Sequence, residues 1–435
     1  MSYKNTIFYR QKQRYSFNCE NEDLSTDGGV VLLEKIERKH GLLKKFSNHL
    51  VDNRDPSKIE YSNSQMLKQR VFLLMQGYQD CNDVAYLKND SLIKDMLESD
   101  LCSQPTLSRF ENSFSTRDIY NLCTYWVENY VESIDVNREI IIIDVDGTDD
   151  PTHGNQQLSL YNGYYGQTMY NELFFHDGDT GQIILPVLRP GNVHSNRWFV
   201  KILSKIIDKI RIKFPDKIIL LRGDGGFSGA AFYDLVEEKK IQYCVGMTAN
   251  SILKTKTSFV EKAVSKTFVK ENIKHQHFIP SFEYKAKSWT KNQTCYAKIE
   301  STGMGMNIRY FSSNIPNLSG REIYKDIYTK RGDASENRIK EVKNMCYSGR
   351  LSCHYFVSNF IRLFMSSLAY EMFVVLKKYI KETTDDVAKK WQIDNIRLFL
   401  LKVGATIQKS VRRVNINFSK SYICKDLFQQ IINLV

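Results

Sequence analysis

The feature that most constrains the fold is a change in hydrophobic periodicity near residue 138. Between residues 30 and 130, apolar residues recur at i, i+3 and i+4, as in residues 66–75 (MLKQRVFLLM), which is the spacing of one helix face. From residue 138, short apolar runs such as 140–145 (IIIIDV) alternate with turns and helical stretches. The pattern predicts an all-α N-terminal region followed by an α/β region.

The second region has a definite order of elements. We predict strands at residues 140–145, 173–176, 182–188, 217–221 and 242–245, and helices at 198–212 and 230–239. Residues 177–181 (DGDTG) predict a hairpin turn between the second and third strands. The order β-β-β-α-β-α-β predicts a ribonuclease H-like core, a mixed five-stranded sheet with helices, in which acidic residues from different elements meet at one edge.

Two further regions follow this core. Alternating polar and aromatic residues over 250–320 favour a β-rich insertion, and apolar stretches at 356–380 and 395–405 predict buried helices. We therefore expect four regions: a helical N-terminal region at 1–135, the first part of the core at 136–249, the insertion at 250–322, and the last core helix with C-terminal helices at 323–435.

Composition narrows the choice of partner and compartment. Lys and Arg (61) exceed Asp and Glu (49), and the net charge of +12 favours a polyanion, either nucleic acid or an acidic protein. The apolar runs are too short to span a bilayer, and residues 1–10 lack the apolar segment of a secretory signal, so we expect a cytoplasmic protein. Nine cysteines without a C-x-x-C pair argue against a disulfide framework and a zinc ribbon.

Carboxylates stand at three places where this fold could use them. Asp144 and Asp146 share one face of the first strand, although the strand could instead end there in a turn. Asp224 follows a buried strand directly, where open sheets place ligand-binding residues, but an Asp-Gly-Gly turn is also ordinary loop chemistry. Glu336 shares a helix face with Lys340 and Lys343.

Glu336 also has a plainer interpretation. With Asp333 as N-cap, residues 333–336 (DASE) form a capping box that would begin a solvated helix. If the three acids do converge, their hard oxygens suit two Mg²⁺ ions, or Mn²⁺ in their place, one activating the attacking oxygen and one stabilising the leaving oxygen of a phosphodiester.

The blocks that contain these acids resemble one family over nearly the whole chain. Residues 144–154 (DVDGTDDPTHG), 221–227 (LRGDGGF), 328–331 (YTKR) and 336–343 (ENRIKEVK) are similar to the catalytic blocks of bacterial insertion-sequence DDE transposases that carry a β-insertion and a Tyr-x2-Arg-x3-Glu-x6-Lys signature. Further blocks that fit the same group are 77–83 (GYQDCND), 104–112 (QPTLSRFEN), 359–363 (NFIRL) and 397–405 (RLFLLKVGA).

The resemblance implies a role for each matching residue. Asp146, which precedes Thr148 by two, becomes the first catalytic and metal-binding acid, with Asp144 as a supporting neighbour; Asp224 and Glu336 become the second and third. Tyr328, Arg331 and Lys343, with Lys340 on the same helix face as Lys343, would contact phosphates of the transposon end. This sequence has four residues between Arg331 and Glu336 where the signature has three, and we expect the extra residue in a loop before the helix.

Two other DNA contacts follow from the resemblance. In related enzymes a tryptophan of the insertion stacks on a flipped base, which suggests Trp289, but Trp289 could equally belong to the core. The segment 104–112 resembles the start of a recognition helix, so Gln104 and Arg109 could reach bases or phosphates, although a buried helix cap is an alternative.

The function that the resemblance implies is metal-dependent cut-and-paste transposition. One strand is hydrolysed at the element's end and the freed 3′-OH then attacks DNA, with a homodimer holding two terminal inverted repeats of double-stranded DNA in a synaptic complex. The N-terminal region would then bind DNA and dimerise. The main alternative is a domesticated, sequence-specific DNA-binding protein without cleavage activity. A plain nuclease would not need the helical region or the insertion, and an acidic-protein binder explains only the charge.

Overall fold

The computed structural model describes residues 8–10, 13–15, 23–271, 275–302 and 304–435. These described residues divide into two compact units, one drawn from the ranges 1–47, 52–110 and 375–435 and the other from 48–51 and 111–374. The described cysteines are all free thiols, and Cys19 lies outside the described residues.

The helices and strands have the following bounds. The helices are α1 Val30–His40, α2 Leu42–Ser47, α3 Asn63–Gln76, α4 Val84–Leu87, α5 Ser91–Leu97, α6 Gln104–Glu111, α7 Thr116–Ser133, α8 Phe199–Lys213, α9 Ala230–Lys239, α10 Ser251–Glu271, α11 Gly320–Glu322, α12 Thr329–Lys340, α13 Phe356–Glu382, α14 Ile393–Ile396 and α15 Lys425–Leu434. Short 3₁₀ helices lie at Pro56–Lys58, Cys81–Asp83 and Ala388–Lys390, and π-helical segments lie at Ile323–Tyr328, Glu341–Met345 and Arg397–Leu401. The strands are β1 Phe8–Arg10, β2 Gln13–Tyr15, β3 Leu24–Ser25, β4 Ile140–Pro151, β5 Leu160–Asn162, β6 Gln167–Asp177, β7 Ile183–Pro190, β8 Ile218–Gly223, β9 Gln242–Met247, β10 His275–Phe278, β11 Phe282–Tyr284, β12 Gln293–Thr302, β13 Gly305–Ser313, β14 Ala405–Lys409 and β15 Val414–Phe418.

The second unit is built on one mixed sheet with β4 near its centre. β4 pairs parallel with β8, and β8 pairs parallel with β9. On its other side β4 pairs antiparallel with β6, which pairs antiparallel with β7. The order β9-β8-β4-β6-β7, with its antiparallel hairpin and parallel partners, confirms the ribonuclease H-like core predicted from the sequence.

The core strands form where the sequence places apolar runs. Ile141, Ile143 and Val145 of β4 are fully buried, as are most side chains of β6 and β7. β4 continues to Pro151, six residues beyond the predicted end, because the polar residues after Val145 still pair with β6. Helix α8 follows the predicted helix within one residue at each end, and α9 coincides with its prediction.

The insertion contains the predicted strands and a helix that the sequence did not indicate. β12 and β13 form an antiparallel ladder that extends along β12 from Cys295 to Thr302, and β13 joins β9. Helix α10 packs its buried residues Leu253 and Val264 against this ladder. The segment expected to be β-rich thus contains strands together with one long helix.

The chain before and after Glu336 is also different from its prediction. Residues 320–345 are helical without a break, passing through two π-helical segments that flank α12. Gly332 and Asp333 lie inside α12, so Glu336 follows helical backbone rather than a loop, and Asp333 does not stand at a helix start. Each π-helical segment uses hydrogen bonds one residue longer than an α-helix, so these segments can take up extra residues within a continuous helix.

Helix α13 is long and apolar enough to cross a membrane by length and composition, but 89% of its most apolar window is buried inside the protein. This is the pattern of a core helix.

The first unit is mainly helical and also contains a small sheet of β3, β14 and β15. Its core includes the fully buried Leu32, Leu33 and Ile36 of α1 and Val71 of α3. The helix predicted at 395–405 ends at Leu401, and Ala405 begins β14. The hairpin of β14 and β15 was not predicted.

Candidate active site

The first two candidate acids lie just beyond the point where the parallel pairing of β4 with β8 ends. Asp144 of β4 is in register with Arg222 of β8, and β8 ends at Gly223. Asp146 and Asp224 each follow this pair by two residues, so they lie at adjacent positions on the carboxyl side of the parallel pairing. Both side chains are half-buried, which leaves them reachable from solvent.

Hydrogen bonds hold both carboxylates in place. Asp146 Oδ1 accepts from its neighbour Gly147 N (2.9 Å), and Asp146 Oδ2 accepts from Arg331 Nη1 (3.2 Å). Asp224 Oδ1 accepts from Gly226 N (2.8 Å), which closes the turn after β8. Arg331 thus links α12 to the middle of β4, beside the first acid.

Asp144 has a different environment from Asp146. Its carboxylate is fully buried and accepts from Arg222 Nε (2.6 Å) and Nη2 (2.8 Å). Arg338 of α12 adds a third contact at 3.3 Å and also donates to the carbonyl oxygen of Asp177. Asp144 therefore pairs with the buried Arg222 and also contacts Arg338, which connects α12 to the sheet. Sequence spacing alone did not reveal these pairs.

Tyr328 lies close to the Asp224 turn. Its ring stacks on Phe311 (5.8 Å between centroids), and the guanidinium carbon of Arg331 lies 5.9 Å from the centre of the Tyr328 ring. A methyl group at Gly246 would come within 2.7 Å of Tyr328 Oη and 2.8 Å of Gly225 N. Glycine at this position in β9 is therefore what lets the phenol approach the turn.

Glu336 and Lys340 are exposed on α12. With 3.6 residues per turn, Glu336 lies about 140° around the helix from Arg331, whereas the three-residue spacing of the signature would place it at about 40°. Arg331 faces Asp146, so Glu336 points well away from that direction. The extra residue therefore lies inside α12 and changes the direction of Glu336 relative to Arg331, instead of lying in a loop before the helix as expected.

The acid pair suits a divalent cation, but a complete three-acid set is not formed. Asp146 and Asp224 supply the hard oxygen ligands that Mg²⁺ prefers, and Mg²⁺ is often bound by one or two carboxylates together with substrate phosphates. Among the side chains that the structure describes, no group of three His, Cys, Asp or Glu residues could hold a metal ion. The roles of the three acids stay predictions.

Lys343 lies at the far end of β4, in an acidic cluster. Its ammonium contacts Asp149 Oδ1 (3.1 Å) and Thr148 Oγ1 (3.3 Å). Burial raises the pKa of Asp150 to about 7, although Lys343 lowers it in part. Burial and the charge of Asp150 raise the pKa of Glu172 well above its usual value, so the folded protein favours the protonated form of both carboxyl groups more than the unfolded chain does.

The remaining predicted DNA contacts lie elsewhere in the fold. Trp289 is half-buried against the rings of Tyr233 (4.5 Å) and Tyr284 (5.3 Å), a position that fits the core alternative. Gln104 begins α6, and Arg109 is exposed in its last turn. The positions of these residues neither support nor contradict a contact with DNA, so the three contacts stay predictions.

Comparison with known proteins places the chain in a family. Residues 9–435 match the family model described as transposase DDE domain group 1. Among the curated proteins, none matches this sequence.

Solved structures with a similar chain include two transposases. The piggyBac transposase, in a cryo-EM synaptic complex with hairpin DNA, is 10% identical over 88% of this chain and 83% of that chain, with a TM-score of 0.44. Mos1 transposase, in a paired-end complex with the left transposon end, is 13% identical over 45% of this chain and 62% of that chain, with a TM-score of 0.18. Similarities this low do not define a function.

The family match is of a different kind, because it extends over nearly the whole chain. The protein belongs to the group 1 DDE-domain transposases, a family of DNA transposases whose activity depends on divalent metal ions.

Proposed function

We propose that the protein is the cut-and-paste transposase of a bacterial insertion sequence, acting as a homodimer on two terminal repeats in the cytoplasm. The observation that supports this most is the placement of Asp146 and Asp224 at adjacent positions of a ribonuclease H-like sheet, where the parallel pairing of β4 with β8 ends. Carboxylates at this edge are half-buried yet reachable, which is what binding both a cation and a DNA strand requires.

The acids would bind Mg²⁺, with Mn²⁺ as a substitute and two ions per site. When bound, such ions activate the attacking oxygen and stabilise the leaving oxygen of the phosphodiester. Asp146 and Asp224 would hold the cations beside the end of the β4–β8 pairing, and Arg331 keeps Asp146 oriented through its contact at 3.2 Å. Asp146 offsets part of the positive charge of Arg331. Arg331 would therefore contact a phosphate only where that phosphate also lies beside Asp146 and Asp224.

Glu336 is the proposed third acid, and its use requires a change within the helix. A π-helical turn placed between Arg331 and Glu336 would rotate Glu336 back by about 100°. Such turns already lie on both sides of α12, at Ile323–Tyr328 and Glu341–Met345. We propose that DNA and metal binding favour this shifted arrangement.

The basic and aromatic residues around the acids are proposed to contact the transposon end. Lys340 is exposed on the same helix face as Glu336 and is free to approach a phosphate. Tyr328 and Lys343 are held more tightly, by ring stacking and by Asp149. We propose that Gln104, Arg109 and Trp289 contribute outside the catalytic centre.

A second candidate is a domesticated DNA-binding protein that does not cut. The exposed position of Glu336, away from the acid pair, favours this alternative. Both candidates bind DNA, so only cleavage separates them.

The test is cleavage of a labelled duplex carrying the element's own end in Mg²⁺, with binding measured in parallel by fluorescence anisotropy. We expect the wild type to cut, and Asp224→Asn and Glu336→Gln to bind DNA but cut at least about 100-fold more slowly, as expected when a group that stabilises transition-state charge is removed. Asp216→Asn is the matched control, because Asp216 is exposed at the opposite end of β8.

The outcomes separate the candidates. Binding by the wild type without cutting would favour the domesticated protein. Normal cutting by Glu336→Gln, with Asp224→Asn inactive, would remove Glu336 from the catalytic set and leave the acid pair in it.

A further inference from the structure

The hairpin between β5 and β6 presents two exposed aromatic rings at its tip. Tyr164 is 89% exposed and Tyr165 is 40% exposed. Their rings meet edge to face, with 5.0 Å between centroids. Large aromatic side chains that remain in water at one place often mark a binding surface.

The tip is a fixed turn rather than a loose loop. Asn162 Oδ1 accepts from Tyr164 N (3.0 Å) and Tyr165 N (3.4 Å), which is the hydrogen-bonding pattern that stabilises Asx turns. Asn162 Nδ2 donates to the carbonyl oxygen of Gly191 (2.7 Å). The backbone that carries both rings is therefore held before any ligand arrives.

Contacts on both sides of the hairpin tip connect it to the elements that carry Asp146 and Asp224. Gln167, the first residue of β6, donates to Asp149 Oδ2 (2.7 Å) on β4. On the other side, the loop that starts at Gly191 reaches the Asp224 turn: a methyl group on Gly226 would lie 3.0 Å from Ser195 Cβ and 3.1 Å from Asp224 Oδ1.

Electrostatic effects agree with a position of Tyr165 close to the acids. Burial, followed by the charges of Asp149, Tyr164, Asp146 and Asp224, raises the pKa of Tyr165. The phenol is therefore within electrostatic reach of both candidate catalytic acids. It also stays neutral at physiological pH and adds no negative charge facing a phosphate.

We propose that Tyr164 and Tyr165 form a stacking site for an unpaired base of the DNA strand next to the scissile phosphate. The inference rests on the proposed function, because it requires DNA at the acid pair. A base that leaves the duplex loses its stacking partners, and an exposed aromatic ring replaces them without regard to sequence. Two rings fixed beside the acids hold the strand where the carboxylates can reach its phosphate.

Trp289 is less well placed for this role. Its ring already contacts Tyr233 at 4.5 Å and Tyr284 at 5.3 Å. At the hairpin tip, by contrast, Tyr164 is 89% exposed and Tyr165 is 40% exposed.

The experiment uses the full-length protein and an end duplex with 2-aminopurine, whose fluorescence reports stacking, at each position flanking the cut. Fluorescence is read on binding without Mg²⁺, and cleavage is measured separately with Mg²⁺. We expect Tyr164→Ala and Tyr165→Ala to change the fluorescence at one flanking position and to slow cutting about 5- to 100-fold. Tyr165→Phe, which keeps the ring, should stay within about threefold of the wild type. The matched control is Tyr86→Ala, since Tyr86 on α4 is 87% exposed.

Each outcome bears on one claim. Unchanged fluorescence and unchanged cutting in both alanine variants would overturn the stacking site while leaving the transposase proposal intact. Suppose that the wild type binds DNA without cutting it, and that the alanine variants change the 2-aminopurine fluorescence relative to the wild type. The stacking site then stands and the cleavage proposal fails. If Tyr165→Phe is as defective as Tyr165→Ala, the hydroxyl rather than the ring is responsible, and stacking is wrong.

Discussion

The two halves of strand β4 put the same residue type to different uses. In the first half, which includes Asp144, the strand is paired with β8, and Asp144 is fully buried against Arg222 from that neighbour. β8 ends at Gly223, so the second half is paired with β6 alone, and the side chain of Asp146 keeps 16% of its surface exposed. The length of the neighbouring strand thus decides which carboxylate is structural and which can bind a ligand.

Among the substitutions in β4, we expect the largest loss of stability in the first half of the strand. Asp144→Asn leaves Arg222 and Arg338 with an uncompensated buried charge, and breaking a buried ion pair in this way costs about 3–5 kcal/mol. Urea unfolding of the variant should therefore show a large loss of stability or no folding.

The exposed pair of Glu132 and Lys213 provides the control, because the side chain of Glu132 is 74% exposed. Glu132→Gln should change stability by less than about 1 kcal/mol. Equal effects of the two substitutions would contradict the view that the first half of β4 depends on its ion pair.

We expect a smaller effect on the free energy of unfolding, dependent on pH, at Asp150 near the end of the second half of β4. Burial raises the pKa of Asp150 to about 7, whereas an unfolded Asp titrates near 4. Between these values the folded state binds the extra proton, so the free energy of unfolding falls as pH rises, by about 1.4 kcal/mol per pH unit for one proton. Asp150→Asn should remove part of this decline between about pH 4.5 and 7.

Denaturation of both proteins at several pH values measures the difference directly. Asp216→Asn, which changes an exposed carboxylate, should leave the slope as it is. Parallel wild-type and Asp150→Asn curves would mean that Asp150 is ionised in the folded protein.

The sequence predicts best the elements that are marked by local patterns, and it predicts least well the contacts between distant elements. The core strands and helices α8 and α9 were predicted because apolar runs and turn residues mark them locally. Helix α10 was missed because its deeply buried side chains, Leu253, Thr257 and Val264, form a narrow stripe among Thr and Lys residues, so helical periodicity is weak.

Contacts between distant elements account for the rest. Gly332 and Asp333 favour a helix start by local propensity, but Arg331 and Arg338 bind β4 on either side of them and keep the helix continuous. The pairing of Asp144 with Arg222 depends on the register of two strands 78 residues apart in sequence. No local pattern carries that information, so the candidate acids could be named but their different environments could not.

The most direct test of the central claim, that Asp146 and Asp224 form a cation-binding pair, is Mn²⁺ binding measured by the loss of the free-ion EPR signal. We expect the wild type and Asp216→Asn to bind Mn²⁺ alike, and Asp146→Asn and Asp224→Asn each to bind at least about tenfold more weakly, because each removes a hard oxygen ligand. Unchanged Mn²⁺ binding in both variants, with their fold intact, would contradict the assignment of the acid pair.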